Sequence, residues 1–130
     1  MNTLRAVIQS DTPLIKQYAD LAAFSKMEWC GRHRVDFKRY TYDQMADPAI
    51  HPAWQKVRSL VREVCRYMDE GGAWLWQTDA DYFVTDMTLA GKDALTRLLA
   101  EYPDVNAIIG CDENGINSGS WLLRACAVNI

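Results

Sequence analysis

The segment Ala73-Trp74-Leu75-Trp76-Gln77 constrains this chain most, an apolar run that breaks on two acids at Thr78-Asp79-Ala80-Asp81. Such a run reads as a buried strand, and its end is where the chain can present polar groups at the rim of a sheet. Two carboxylates one residue apart at that rim can hold a hard divalent cation, and the cation can hold a diphosphate. A second segment, Asp112 to Arg124, is polar and turn-rich around Asn117-Ser118-Gly119 and then abruptly apolar.

The rest of the chain supplies the layers such a strand needs. Leu4 to Gln9 predicts a first strand, closed by Ser10-Asp11-Thr12. Thr12-Pro13 then opens a helix with Leu14, Ile15, Tyr18, Leu21 and Ala22 as its apolar stripe, and Gly31 is where it should stop. Val35 and Phe37 alternate with charged neighbours as a short second strand. From Trp54 to Glu70 the residues Trp54, Val57, Leu60, Val61, Val64, Cys65, Tyr67 and Met68 share one helical arc, with Arg58, Arg62, Glu63, Arg66 and Glu70 on the other. Gly71-Gly72 ends that helix.

After the acids, Tyr82 to Val84 predicts a short strand and Thr88 to Tyr102 a helix with Leu89, Leu95, Leu98 and Leu99 inward. Val105 to Cys111 and Ser120 to Val128 read as the last strands. This order predicts one domain over residues 1–130, an α/β layered sheet, mainly parallel, with helices on both faces. In such sheets ligands gather beyond the carboxyl ends of the strands. Ser10-Asp11, Asp79-Ala80-Asp81 and Asp112-Glu113 all fall at those ends.

Composition narrows the partners. A net charge of −3 gives no reason to expect nucleic acid. The apolar runs are a few residues long against the roughly 20 needed to span a bilayer, and Met1 to Asp11 lacks a signal-peptide pattern. Cys30, Cys65, Cys111 and Cys126 have no CxxC spacing, so buried free thiols in a reducing, cytoplasmic setting are expected. His33 and His51 have no partner at metal-ligand spacing and read as surface or capping residues.

The blocks Trp74-Leu75-Trp76-Gln77-Thr78-Asp79-Ala80-Asp81 and Asp112-Glu113-Asn114-Gly115-Ile116-Asn117-Ser118-Gly119-Ser120-Trp121-Leu122-Leu123-Arg124 resemble the fungal α-mannosyl- and α-galactosyltransferase family that includes plant xyloglucan xylosyltransferases. Trp54-Gln55-Lys56 and Tyr18-Ala19 match it more loosely. The resemblance implies a GT-A fold and a retaining transferase. It would move a sugar from a nucleotide-diphosphate donor (a UDP- or GDP-sugar) to a glycan or other acceptor hydroxyl.

It further implies that Asp79 contacts ribose or metal, that Asp81 ligates Mn²⁺ (or Mg²⁺), and that Asn117 and Gly119 line the donor-sugar pocket. Ser10 and Asp11 would meet the nucleotide base. Lys56, at the border of its helix's arc, reaches either toward a phosphate or out to solvent. Asp112 either orients the sugar or acceptor hydroxyl, as a catalytic group, or caps the following turn. The family's pattern continues to a third metal ligand, often histidine, that is not found here, so the resemblance leaves three alternatives: a truncated version of the fold, a minimal version that takes the missing ligands from water or a partner, or a protein that no longer catalyses.

Two other readings follow from the same residues. One is a nucleotide-sugar-binding or interaction module without turnover. The other is a phosphohydrolase, which would carry its D-x-D on the first strand rather than mid-chain. A homo-oligomer would cover any exposed apolar edge.

Overall fold

The computed structural model describes residues 2–42 and 49–129. Strand β1 (Thr3–Asp11) leads through a single 3-10 turn, Pro13–Ile15, into helix α1 (Lys16–His33). Strand β2 (Asp36–Thr41) and helix α2 (Pro52–Tyr67) come next, then strand β3 (Ala73–Thr78) and helix α3 (Leu89–Glu101). Strands β4 (Ala107–Asp112) and β5 (Gly115–Arg124) form a hairpin, followed by a 3-10 turn at Ala127–Asn129. The strands make one five-stranded sheet in the order β2-β1-β3-β5-β4. Strands β2, β1 and β3 pair in parallel, and β5 runs antiparallel between β3 and β4. This is the mainly parallel α/β sheet that the order of elements predicts.

Strand β3 is the middle of the sheet, and all six of its residues are buried. Its side chains alternate between two cores, as the period of a strand requires. Trp74 and Trp76 join Leu4 and Val7 against Trp29 and Cys30 of α1 and Leu99 of α3. Ala73 and Leu75 join Ala6 and Ile8 against Leu60, Val64 and Tyr67 of α2. An irregularity in register between Leu4 and Ala6 lets these two residues of equal parity face opposite cores. Each large apolar side chain buried this way contributes roughly 1.5–3 kcal/mol. A helix layer therefore covers each face, and the polar ends of β1 and β3 emerge together at one edge.

Several sequence expectations are corrected. Helix α1 does not stop at Gly31; it runs to His33 and closes on Arg34, which takes a left-handed conformation and donates its backbone N–H to the Cys30 carbonyl. Its inward face is Ala19, Ala22, Ala23, Lys26, Trp29, Cys30 and His33, while Leu14, Tyr18 and Leu21 point outward. Small alanines let the helix lie close to the sheet, and Trp29 fills the space beyond them. His33 is therefore buried, whereas His51 does cap α2, its Nδ1 accepting from the Ala53 N–H.

Helix α2 is also rotated from its apolar arc. Gln55, Ser59 and Glu63 are buried beside Leu60, Val64 and Tyr67, while Trp54 and Met68 are exposed. Glu63 is tolerated there because it accepts from the Tyr40 hydroxyl and pairs with Arg66. Of the cysteines only Cys30 is buried; Cys65 and Cys111 are exposed and Cys126 is partly so. In α3, Leu99 is buried and Leu95 and Leu98 pack against the same core, while the side chain of Leu89 lies outside the described residues. Residues 82–84 form a loop rather than a strand. Strand β4 starts at Ala107, not Val105, and β5 spans Gly115–Arg124, not Ser120 to Val128. Among the described residues, no helix is long and apolar enough to cross a membrane.

Candidate functional site

The parallel strands β1 and β3 end side by side, so Ser10, Asp11, Asp79 and Asp81 reach the same edge of the sheet. Two cavities open there. The first, about 360 Å³, lies between the end of β1, the start of α1 and Lys56, with Tyr18, Tyr42, Asp79 and Asp81 on its walls. The second, about 470 Å³, lies on the β5 side and is walled by Tyr82, Cys111, Asn117 and Gly119. Asp79 and Asp81 line both. The acid pair is thus the ridge between a compartment next to β1 and a compartment next to β5.

The bend at Asn117-Ser118-Gly119 is built differently from the turn that the sequence suggests. The hairpin turns at Glu113-Asn114, with Gly115 at φ 109°, and Asn117 to Gly119 already belong to β5. Ile109 pairs with Trp121 but the next residue, Gly110, pairs with Asn117, so β5 bulges between them. The bulge leans over the end of β3. The Asp79 backbone N–H donates to the Gly119 carbonyl at 2.9 Å, and the Gly119 N–H donates to Asn117 Oδ1 at 2.7 Å. A Cβ on Gly119 would stand 2.9 Å from Asn117 Oδ1 and 3.4 Å from Asp79 Oδ2. A side chain here would displace the Asn117 amide from the Gly119 N–H and crowd the acid.

Lys56 ties the site together. Instead of running to solvent, its ammonium donates to Asp79 Oδ1 at 2.9 Å, to the Ser118 carbonyl at 2.9 Å and to Ser118 Oγ at 3.1 Å. It also lies 5.8 Å from the centre of the Trp121 ring. A positive charge is therefore fixed on Asp79, on the wall of the first cavity.

A second lysine, unmarked in the sequence reading, lies beneath. Lys26 of α1 is fully buried, with 0% of its surface exposed. Its ammonium donates to Gln9 Oε1 at 2.7 Å and to the Asp79 carbonyl at 2.8 Å. Burial pulls its pKa from 10.5 down to about 8, against the opposing pull of Asp81, Asp79 and Asp11. One signal in the sequence marks it: Ala19, Ala22, Lys26, Trp29 and His33 fall on one helical stripe, and a single lysine among small and aromatic residues is out of place on a solvated face.

The remaining candidates divide by how they are engaged. Asp11 lies on the wall of the first cavity, yet its carboxylate already accepts from Gln9 Nε2, Arg39 Nε and Thr41 Oγ1 at 2.9, 2.7 and 2.8 Å. It braces β1 and β2 at the rim. Ser10 Oγ lies 2.5 Å from Ser59 Oγ and so anchors α2 to β1. Asp112 caps the hairpin, accepting from the Asn114 N–H at 2.8 Å and the Asn117 side-chain amide at 2.9 Å. It lines neither cavity.

Among the described residues, no group of three or more His, Cys, Asp or Glu side chains is placed to hold a metal ion. Asp79 and Asp81 offer two hard carboxylates. That donor set fits Mg²⁺ or Mn²⁺, which commonly take one or two carboxylates and complete their shell with water and phosphate oxygens.

Comparison with solved structures finds this fold in the crystal structure of a glycosyltransferase involved in the glycosylation of the major capsid of PBCV-1, with a TM-score of 0.61 and 16% sequence identity. The match covers 92% of this chain and 60% of that chain, so the sequence spans less than two thirds of that enzyme. At this identity the likeness shows a shared fold alone and leaves the narrower fungal and plant family unsupported. No family model matches the chain, and neither does any curated protein.

Proposed function

We propose that this chain binds a nucleoside-diphosphate sugar across Asp79 and Asp81 and transfers its sugar to an acceptor hydroxyl. One observation carries the reading: the acid pair follows the central strand and forms the common wall of two cavities, with Lys56 on the wall of the first and its ammonium on Asp79. The compartment beside β1, with Tyr18 and Tyr42 at its walls, suits a nucleoside. The compartment beside the Asn117–Gly119 bulge suits the sugar. The diphosphate would then lie over the ridge.

Mn²⁺ or Mg²⁺ held by Asp79 and Asp81 would supply Lewis-acid stabilisation to the departing nucleoside diphosphate. Lys56 is placed to add a second positive charge to that leaving group. Lys26, through the Asp79 carbonyl, holds the acid-bearing loop in place, and the Gly119 approach fixes the Asp79 carboxylate against β5. Retention of anomeric configuration rests on the family resemblance alone.

The test is thermal unfolding with Mn²⁺ and a nucleoside diphosphate. UDP or GDP with Mn²⁺ should raise the melting temperature, and Asp81→Asn should remove the rise. No shift with UDP, GDP or CDP would overturn the proposal.

The placement of Asp112 favours a second reading. A carboxylate spent on the hairpin cap offers no acid or base to either cavity, which suits a nucleotide-sugar-binding module without turnover. Release of nucleoside diphosphate from a nucleotide sugar, above a metal-stripped control, separates the two.

A further inference from the structure

We propose that the aromatic trough between the 82–86 loop and α3 is a carbohydrate site, one that seats a pyranose ring of the acceptor beside the Asp79–Asp81 ridge. The inference rests on the reading above and names the acceptor as a sugar.

The trough is a cavity of about 270 Å³ lined by Trp29, Trp76, Tyr82, Phe83, Asp86 and Leu95. It is continuous with the candidate site, because Tyr82 is also a wall of the cavity on the β5 side. A ligand in the trough therefore sits one aromatic ring away from the compartment assigned to the donor sugar.

The loop is fixed although it is not a strand. The Tyr82 N–H donates to the Asp79 carbonyl at 3.2 Å and the Val84 N–H to Ser25 Oγ at 3.2 Å. Asp86 Oδ1 accepts from the Thr88 N–H at 2.9 Å and from Thr88 Oγ1 at 2.6 Å. Behind the loop, Trp76 meets Tyr82 edge-on with ring centres 5.5 Å apart, and Trp29 meets Trp76 at 5.9 Å. Held this firmly, Tyr82 and Phe83 remain 37% and 45% exposed. Two large rings offered to solvent on an anchored loop form a binding surface rather than an unfinished core.

The chemistry selects the occupant. A pyranose is amphipathic: its axial C–H groups form an apolar face that packs on an aromatic ring, whose face is electron-rich. Its hydroxyls radiate outward and donate to acceptors such as the Asp86 carboxylate at the trough's edge. An acyl chain would offer no donor to Asp86 Oδ2, the carboxylate oxygen that Thr88 does not engage. Aromatic walls with a carboxylate at the rim match a neutral polyol ring best.

The test follows intrinsic tryptophan fluorescence, since Trp29 and Trp76 line the trough. The probes are methyl glycosides of mannose, galactose, glucose, xylose and N-acetylglucosamine. At least one should give a saturable change in emission. Phe83→Ala should weaken it about tenfold and Asp86→Asn severalfold. Both side chains are outside the two cavities at the ridge, so the thermal shift with Mn²⁺ and UDP should persist in both variants. That shift verifies folding and tests the nucleotide site separately. If it persists while no glycoside saturates, or if Phe83→Ala binds as tightly as the parent, the sugar site is refuted and the nucleotide reading stands. If the shift is absent as well, both fall.

Discussion

Lys26→Met removes a fully buried cation beneath the site, and its effect can be worked out from the geometry. In the folded chain burial holds the Lys26 pKa at about 8, against 10.5 for the ordinary side chain. At 1.36 kcal/mol for each pH unit, that depression amounts to about 3 kcal/mol. The unfolded chain keeps the proton up to pH 10.5 and the folded chain only to about 8. The contribution to stability is therefore fully present above pH 10.5 and is lost as pH falls through 8.

Methionine removes the charge and its desolvation cost. It also strips donors from Gln9 Oε1 and the Asp79 carbonyl, at roughly 1–3 kcal/mol each. Near pH 7 the opposing effects should leave the variant within about 2 kcal/mol of the parent. With rising pH the parent should gain on the variant, by about 3 kcal/mol between roughly pH 7.5 and 10.5. Urea unfolding of both proteins across that range reads the difference directly, and groups common to both cancel. A difference that stays flat within about 1 kcal/mol would show that Lys26 titrates as a solvated lysine, and the argument from its burial would fail. The thermal shift with Mn²⁺ and UDP should shrink in the variant at any pH, because the Asp79 carbonyl loses its anchor.

Further outcomes follow from single contacts. Gly119→Ala should lower stability by about 1–2 kcal/mol and weaken nucleotide binding, because its Cβ would meet Asn117 Oδ1 at 2.9 Å and Asp79 Oδ2 at 3.4 Å; urea unfolding and UDP titration check both. Lys56→Met should reduce affinity for UDP about tenfold or more and lower stability by about 1–2 kcal/mol as Asp79 and Ser118 lose its ammonium, as read by calorimetry with and without Mn²⁺ and by urea unfolding. Asp11→Ala should destabilise by about 1–2 kcal/mol, since Gln9, Arg39 and Thr41 each lose an acceptor while Gln9 keeps the Ala19 carbonyl and Arg39 keeps Asp20, and Asp11→Asn should lose less. Asp112→Ala should loosen the hairpin by about 1 kcal/mol. If it also abolishes release of nucleoside diphosphate without affecting UDP binding, Asp112 acts beyond its cap.

How far the sequence disclosed this molecule depended on whether a feature was local or made by packing. Strand β3 and the acids behind it were readable because an apolar run ending in Thr78-Asp79-Ala80-Asp81 leaves the chain few alternatives. The faces of α1 and α2 were not, because each buries polar side chains for reasons that lie on other elements. Lys26 turns inward because Gln9 and the Asp79 carbonyl await it, and Glu63 because Tyr40 does. A hydrophobic arc sees neither partner, so it put Leu21 inside and Glu63 outside. The residues of the Asn117-Ser118-Gly119 bend likewise favour a turn, yet it is a bulge whose shape depends on the register with Ile109 and Gly110 across the hairpin. Two of these three departures fall around Asp79. The buried lysine and the bulged strand each break a local rule, and each contacts Asp79, through its carbonyl from below and its N–H from the side. Departures from local preference that converge on one residue are what a functional site, rather than a merely stable fold, is expected to produce.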